Sequence, residues 1–502
     1  MKQLVLIFVF LVVGLVAYLF FAERAWLEEM LSPEKSPAPA AVSESSPDAP
    51  VPSKAPPRPQ AKTPRSLAKI QLPETDMSLF LDGEPVTPGE TVEWERSSAV
   101  LLAFDGKTFD HQVLALAEEQ TFSPTLTKRE PKGSPAWNTF QGNALRSGYV
   151  EAPGKDNLKL QWQQSLGDEV KSSPIVLGDT VYFSSDNRLV NAVDLQTGKT
   201  LWSQGEIGAT VSPIATEKFI FMGNDLGVFA GYRLQDGKKR GEKALGSYPT
   251  SLSRISEEAF LATTRDQRVF SIQTKRRFTG RLPLRINWEI SLPELGQSTA
   301  SPIIQGNQAV FRGSGNALTA IDLTSGKKLW SKGTQSGSNA MQGDMQLAIA
   351  EPDSFLTSTP AAGNGKLFAV MDNHLVAFAL NNGEELWRQA LAAKVTSSLS
   401  LAYGMIVAGC ADGSLRTFST AAGQPVYTAS LSSAPIFASP VVFGGRILVA
   451  TEQGELLLLH AFTGALLAKD QTLAGAPIKS TPAVAGERIF AVNEKGEMAS
   501  FR

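Results

Sequence analysis

Three histidines, His111, His374 and His460, and one cysteine, Cys410, are the residues of this 502-residue chain best suited to bind a metal or move a proton near neutral pH. Zinc and iron–sulfur sites need several thiolate or imidazole ligands at close spacing, and a triad needs a nucleophile placed beside a histidine. Neither pattern is present. The lone Cys410, at the end of the apolar run "IVAGCADGS", cannot form an intrachain disulfide and reads as a buried, inert thiol. Asp82-Gly83 and Asp105-Gly106 carry carboxylates, but Asp-Gly between strand-like runs is a turn signal. "GSG" at Gly313 to Gly315 also reads as a turn, and no G-x-x-x-x-G-K-[ST] phosphate loop occurs. Asp194 and Asp322 recur at one position of a repeated hairpin, which suits a structural role; a catalytic acid is expected once. The reading is therefore no catalytic residue, no metal and no cofactor.

What could bind is different in kind. The 47 basic residues nearly balance 49 acidic ones, which argues against a nucleic-acid partner. Against that balance, "QTKRRFTGRLPLR" concentrates Lys275, Arg276, Arg277, Arg281 and Arg285. The long connection from Ser331 to Phe355 carries Met341, Met345, Leu347 and Ile349 between polar residues. Connections of that length are often functional. Both are candidate contacts for a partner protein, or for an anionic lipid surface in the basic case.

These residues must be held by a repeated element. "NAVDLQTGKTLW", "TAIDLTSGKKLW" and "VAFALNNGEELW" each read as strand, turn and strand, with Gly198/Trp202, Gly326/Trp330 and Gly383/Trp387 four residues apart. A Ser-Pro or Thr-Pro pair opens a unit at Pro174, Pro213, Pro302, Pro360 and Pro440, and the turn glycine follows 23 or 24 residues later. A further unit has Leu399 in place of the proline, and a degenerate one starts near Leu252. Each unit offers three strands before the turn and one after it, on the period of a propeller blade. The glycine supplies the positive φ of a bulged three-residue hairpin, and the Trp packs between blades. Seven units run to about Leu473, leaving three final strands; "LKLQWQQSL", with Trp162, supplies the fourth. The expected fold is all-β, an eight-bladed propeller over 137–502 closed by that N-terminal strand.

The "AxDxxTGKxLW" hairpin, the eight units and the lead-in "WNTFQGNALRSG" (Trp137 to Gly148) resemble the PQQ-like propeller-repeat superfamily, and its BamB-like branch in size and repeat style. The resemblance implies a non-enzymatic scaffold that binds envelope proteins in outer-membrane protein assembly. The resemblance implies an adjacent cysteine pair in the quinoprotein alcohol dehydrogenases of the superfamily, which this chain lacks, although the membrane glucose-dehydrogenase-like relatives do without it. A PQQ-dependent oxidoreductase and a small-molecule-binding sensory propeller are the alternatives.

Ahead of the propeller, Leu4 to Ala22 is nineteen uncharged residues, about 28 Å as a helix and long enough to span a bilayer. It is read as an uncleaved single-pass anchor (residues 1–30) in the cytoplasmic membrane, with the bulk of the chain in the periplasm or outside the cell. Residues 31–66 form a Pro-rich linker, with ten prolines between Ser32 and Ser66. Residues 67–130 alternate like strands broken by Asp-Gly turns and loosely resemble a PEGA-type β-sandwich module.

Overall fold

The structure is a computed structural model that describes residues 67–502 except 118–119, 131–136, 167, 171, 188, 206–210, 276–280, 297, 314–315 and 334–357. The apolar stretch, the Pro-rich linker, Arg276, Arg277, Met341, Met345, Leu347 and Ile349 lie outside the described residues.

Strand composition dictates a layered ring. In the first sheet Thr180–Ser184 and Val190–Asp194 bury consecutive residues on both faces, whereas the outermost strand, Thr200–Gln204, alternates exposed and half-buried positions. A strand buried on both faces needs a neighbouring sheet on each side. Among the described residues eight antiparallel sheets share one inner-to-outer strand order. They span 175–204, 214–244, 249–291, 303–332, 361–390, 400–430, 441–470 and 483–501. The last has three strands of its own and takes Leu160–Ser165 as its outermost, in the register Glu497↔Ser165 to Phe501↔Leu160. Apolar clusters form between successive sheets: Ile175 and Tyr182 with Ile220 and Met222, for example, and Ile303 and Val310 with Leu367 and Val376. One cluster joins the seventh and eighth sheets to the first, through Leu458, Phe490 and Phe183, and closes the ring.

The turn glycines do two things at once. Gly198, Gly237, Gly326, Gly383, Gly423 and Gly464 have φ between 64° and 73°, and each lies against an aromatic ring of the preceding sheet. Trp162 lies on Gly198, Trp202 on Gly237, Trp288 on Gly326, Trp330 on Gly383, Trp387 on Gly423 and Tyr427 on Gly464. Indole Nε1 of Trp162, Trp202 and Trp288 also donates to the carbonyls of Leu195, Leu234 and Leu323 at 3.0, 2.8 and 2.9 Å, and the Tyr427 hydroxyl donates to Ala461 O at 2.7 Å. Trp330 is the exception: Leu380 O, its counterpart acceptor, takes Gln308 Nε2 at 2.9 Å and leaves the indole nitrogen without a partner. Trp288, masked in the sequence by the irregular turn of its unit, belongs to the same series.

A Cβ on Gly383 would stand 2.6 Å from the Trp330 ring at φ +70°, while one on Gly365, at φ +73°, would meet open space. Gly383→Ala should therefore lower the unfolding free energy by about 2–4 kcal/mol and Gly365→Ala by about 1–2 kcal/mol. Equal costs in urea titrations would mean that the indole contact contributes nothing.

The segment before the ring folds as two small sheets, one built from Ala68–Gln71, Thr91–Trp94 and Thr121–Phe122, the other from Ser78–Leu81, Glu84–Val86, Ser98–Phe104 and Phe109–Ala115. Their facing residues Ile70, Leu72, Leu79, Leu101 and Leu114 form a separate core. The outer face is fixed to the sixth and seventh sheets by aromatic contacts: Phe80 stacks on Phe462 with centroids 5.2 Å apart, and Phe104 meets Phe462 at 4.8 Å and Tyr403 at 5.3 Å.

Candidate functional site: the axial funnel

Ser-Pro and Thr-Pro pairs stand just before six of the eight inner strands, with Ser251-Leu252 and Ser398-Leu399 in the third and sixth sheets, and these hydroxyl residues converge on the ring axis. Ser173, Ser212, Ser251, Ser301, Thr359, Ser398, Ser439 and Thr481, one from each sheet, line a cavity of about 380 Å³ together with Phe140, Tyr248, Phe437 and Lys479. The hydroxyls link neighbouring sheets. The Thr481 amide donates to Ser173 Oγ at 3.0 Å, Ser173 N to Ser212 Oγ at 3.1 Å, Ser301 N to Thr359 Oγ1 at 3.2 Å and Thr359 N to Ser398 Oγ at 3.1 Å. Those oxygens accept from backbone, and each hydroxyl keeps an O–H able to donate. Lys479 stands 5.7 Å from the Phe437 ring centroid and pairs with Glu494 at 3.4 Å.

The floor of the funnel is the lead-in segment. Backbone carbonyls of Trp137, Asn138, Ala144, Leu145, Ser147 and Gly148 accept from Val176, Ala215, Ile304, Ala362, Leu401 and Val442 at 2.6–3.2 Å. Each of those amides comes three residues after the hydroxyl residue of its strand. Tyr149–Val150 then adds a parallel strand to the inner edge of the seventh sheet. This segment thus seals the axis by giving inner edges their missing hydrogen-bond partners. The third sheet, to which these carbonyls make no bond, is reached instead by Arg146, fully buried, whose guanidinium donates to Ser253 Oγ at 2.6 Å, Pro302 O at 3.3 Å, Thr139 Oγ1 at 2.9 Å and Phe140 O at 2.7 Å. Burial pulls its pKa down to about 9, which leaves it charged at neutral pH. The same holds for Arg312, pulled by burial to about 10, which donates to Ser358 O and Val370 O.

The residues singled out for chemistry are dispersed. His111 and His460 lie at the seam with the small sheets, and His374 is at the start of a strand of the fifth sheet, its Nδ1 2.7 Å from Asp372 O. Burial raises the Cys410 thiol to about 11. Asp194 and Asp322 accept from Thr197 and Ser325 within their own turns, and those bonds lower their pKa values. Asp105 accepts the amides of Lys107 and Thr108 in the same manner, and Asp82 that of Val100. Among the described residues no group of three or more His, Cys, Asp or Glu side chains could hold a metal ion. Lys275, Arg281 and Arg285 are exposed on the hairpin side of the third sheet, at the end of the ring opposite the funnel, because strands alternate in direction. The connection containing Met341 resumes, in the described residues, at Ser358 beside the funnel residue Thr359. Sequence reasoning found the Ser-Pro markers but took them as unit boundaries, and it gave the lead-in no structural role.

A family profile described as outer membrane protein assembly factor BamB matches residues 154–284, 261–354 and 346–502. The BamB of Yersinia pestis is 22% identical over 380 residues, covering 69% of this chain and 90% of the relative. That of Legionella pneumophila is 24% identical over 176 residues, 35% of this chain and 44% of the relative. Among solved structures, BamB from Moraxella catarrhalis superposes with a TM-score of 0.56 at 17% identity, covering 69% of this chain and 99% of that one. Quinohemoprotein alcohol dehydrogenase from Comamonas testosteroni gives 0.57 at 12% identity, covering 74% and 81%. At those identities the structures show a shared fold and leave activity open.

These findings correct the expected location. A single-pass protein of the cytoplasmic membrane, partnered with that membrane through its N-terminal helix, does not stand: the relatives are named for outer membrane protein assembly, and no helix among the described residues is long and apolar enough to cross a membrane. The physical reason is that an apolar stretch of nineteen residues carries length but no statement of which membrane it meets or whether it is retained. The matched stretches cover nearly the whole ring, from 154 to its last residue, and the ring has the sheet order, shared cores and closing strand the repeat demands, so the chain belongs to the BamB family of outer membrane protein assembly factors.

Proposed function

We propose that the chain is an eight-bladed, non-catalytic propeller that binds partner proteins during outer membrane protein assembly. The observation that carries this reading is the family match running from 154 to 502. The funnel supports it. Its described lining combines hydroxyls, aromatic rings and one lysine, groups that bind and orient but supply no base near neutral pH and no activated nucleophile. The chain's own lead-in occupies the axis beneath it. On sequence grounds the connection from Ser331 to Phe355 is the proposed partner contact.

Crosslinking in cells, followed by affinity purification of the full chain and of a form lacking residues 334–355, tests both statements by mass spectrometry. The expected result is recovery of outer-membrane assembly proteins with the full chain and at least about tenfold less with the deletion, a binding loss of roughly 1.4 kcal/mol or more. Equal recovery with both forms removes the connection as the contact; recovery of none with either overturns the assembly reading.

A further inference from the structure

The basic run of the third sheet is half of a larger feature. The outermost strand of the second sheet, Lys239–Ala244, packs against the outermost strand of the third, Leu284–Ser291. The Leu282 amide donates to Arg240 O at 2.8 Å, and Leu282 fills the space above Gly241. A second basic stretch, "RLQDGKKRGEK" (233–243), is thereby laid beside Lys275, Arg281 and Arg285. The described residues of these two segments carry eight cations and two carboxylates in a chain whose net charge is −2. The two carboxylates are already engaged, Asp236 with Arg233 and Glu242 with Lys239. Lys238, Lys275, Arg281 and Arg285 have no ion-pair partner among the described residues and are exposed; Lys243, paired in register with Phe229 at the far end of its strand, lies apart from them.

We propose that this hairpin end of the second and third sheets docks on an anionic lipid bilayer. Two features favour a bilayer over an acidic protein segment. An added peptide strand would need free backbone groups, and the outer edge of the second sheet is capped by the Leu282 to Arg240 bond. The cations are also spread over a strand and an adjoining hairpin. Such a distribution suits a diffuse layer of lipid phosphates, where each Lys or Arg adds attraction independently within a Debye length. It lies at the end of the ring opposite the funnel, so docking would leave the funnel open to a partner. The inference stands apart from the assembly role.

The test is amide hydrogen exchange of the full chain in bilayer discs of phosphatidylcholine alone and of phosphatidylcholine with phosphatidylglycerol. The apolar Leu4 to Ala22 stretch is unchanged in every arm, so its own contribution cancels. The expected result is severalfold slower exchange over 238–241 and 281–286 in the anionic discs only, reversed by molar salt. It should be lost in the variant K238E/K275E/R281E/R285E, whose exchange elsewhere in the ring should match that of the unaltered chain and so report an intact fold. Equal exchange in the two kinds of disc overturns the proposal, as does protection that survives the charge reversal.

Discussion

Arg146→Ala is expected to lower the unfolding free energy by about 3–5 kcal/mol, the scale found when one partner of a buried charged network is removed. The guanidinium joins four oxygens from the lead-in, the third sheet and the fourth. Truncation leaves those oxygens buried without donors and opens a void beneath the funnel. Arg146→Lys keeps the charge but replaces a planar fork by a single ammonium, so about 2–3 kcal/mol should still be lost. Urea denaturation followed by tryptophan fluorescence reads both. A cost below about 1 kcal/mol for the alanine variant would mean that backbone bonds alone hold the lead-in in place.

The second large effect is with acid. His111 is buried at the seam between the small sheets and the ring, packed on Gly404, with Nε2 lacking any hydrogen-bond partner. Burial pulls its pKa down to about 4, with Arg129 and Lys366 adding to the shift and Asp110 opposing it. His460, beside Phe80 and Phe462 at the same seam, is lowered too, chiefly by burial. The folded state therefore binds fewer protons than the unfolded chain once pH drops below the ordinary histidine value of 6.5. Stability is fully present above that pH and is lost as pH falls towards 4, by about 3 kcal/mol for His111 alone. Carboxylates held low by turn bonds, such as Asp194, act only at lower pH. Urea midpoints at pH 7.5, 6 and 5 should decline for the unaltered chain and decline less for His111→Leu. Parallel declines would remove His111 as the cause.

Much of the ring was legible because its repeat is written in residues with a narrow structural meaning. A glycine that must adopt positive φ and also receive an indole cannot drift, so Gly198, Gly326 and Gly383 kept their spacing to Trp202, Trp330 and Trp387. The incomplete final unit pointed to Leu160–Ser165 because an open sheet edge is costly, and that pairing is the one observed. What the sequence concealed was non-local. Trp137 to Gly148 carries no periodicity, since its carbonyls bond to six sheets in turn around an axis; only the folded ring shows where such a segment is needed. The funnel was hidden for a related reason: its hydroxyls are tens of residues apart and converge through rotation about the ring. The basic patch was half visible, because Lys275 to Arg285 is a run in sequence while Lys238 joins it through packing. The apolar N-terminal stretch misled on location, since length says little about destination.

The most direct test of the assembly role is a quantitative outer-membrane proteome from cells lacking this protein, beside cells complemented with the full chain. If the role is as proposed, integral outer-membrane proteins fall severalfold in the deletion strain and recover on complementation, while inner-membrane proteins hold steady. An outer-membrane proteome unchanged by the deletion, with the protein normally expressed in the parent, would contradict it.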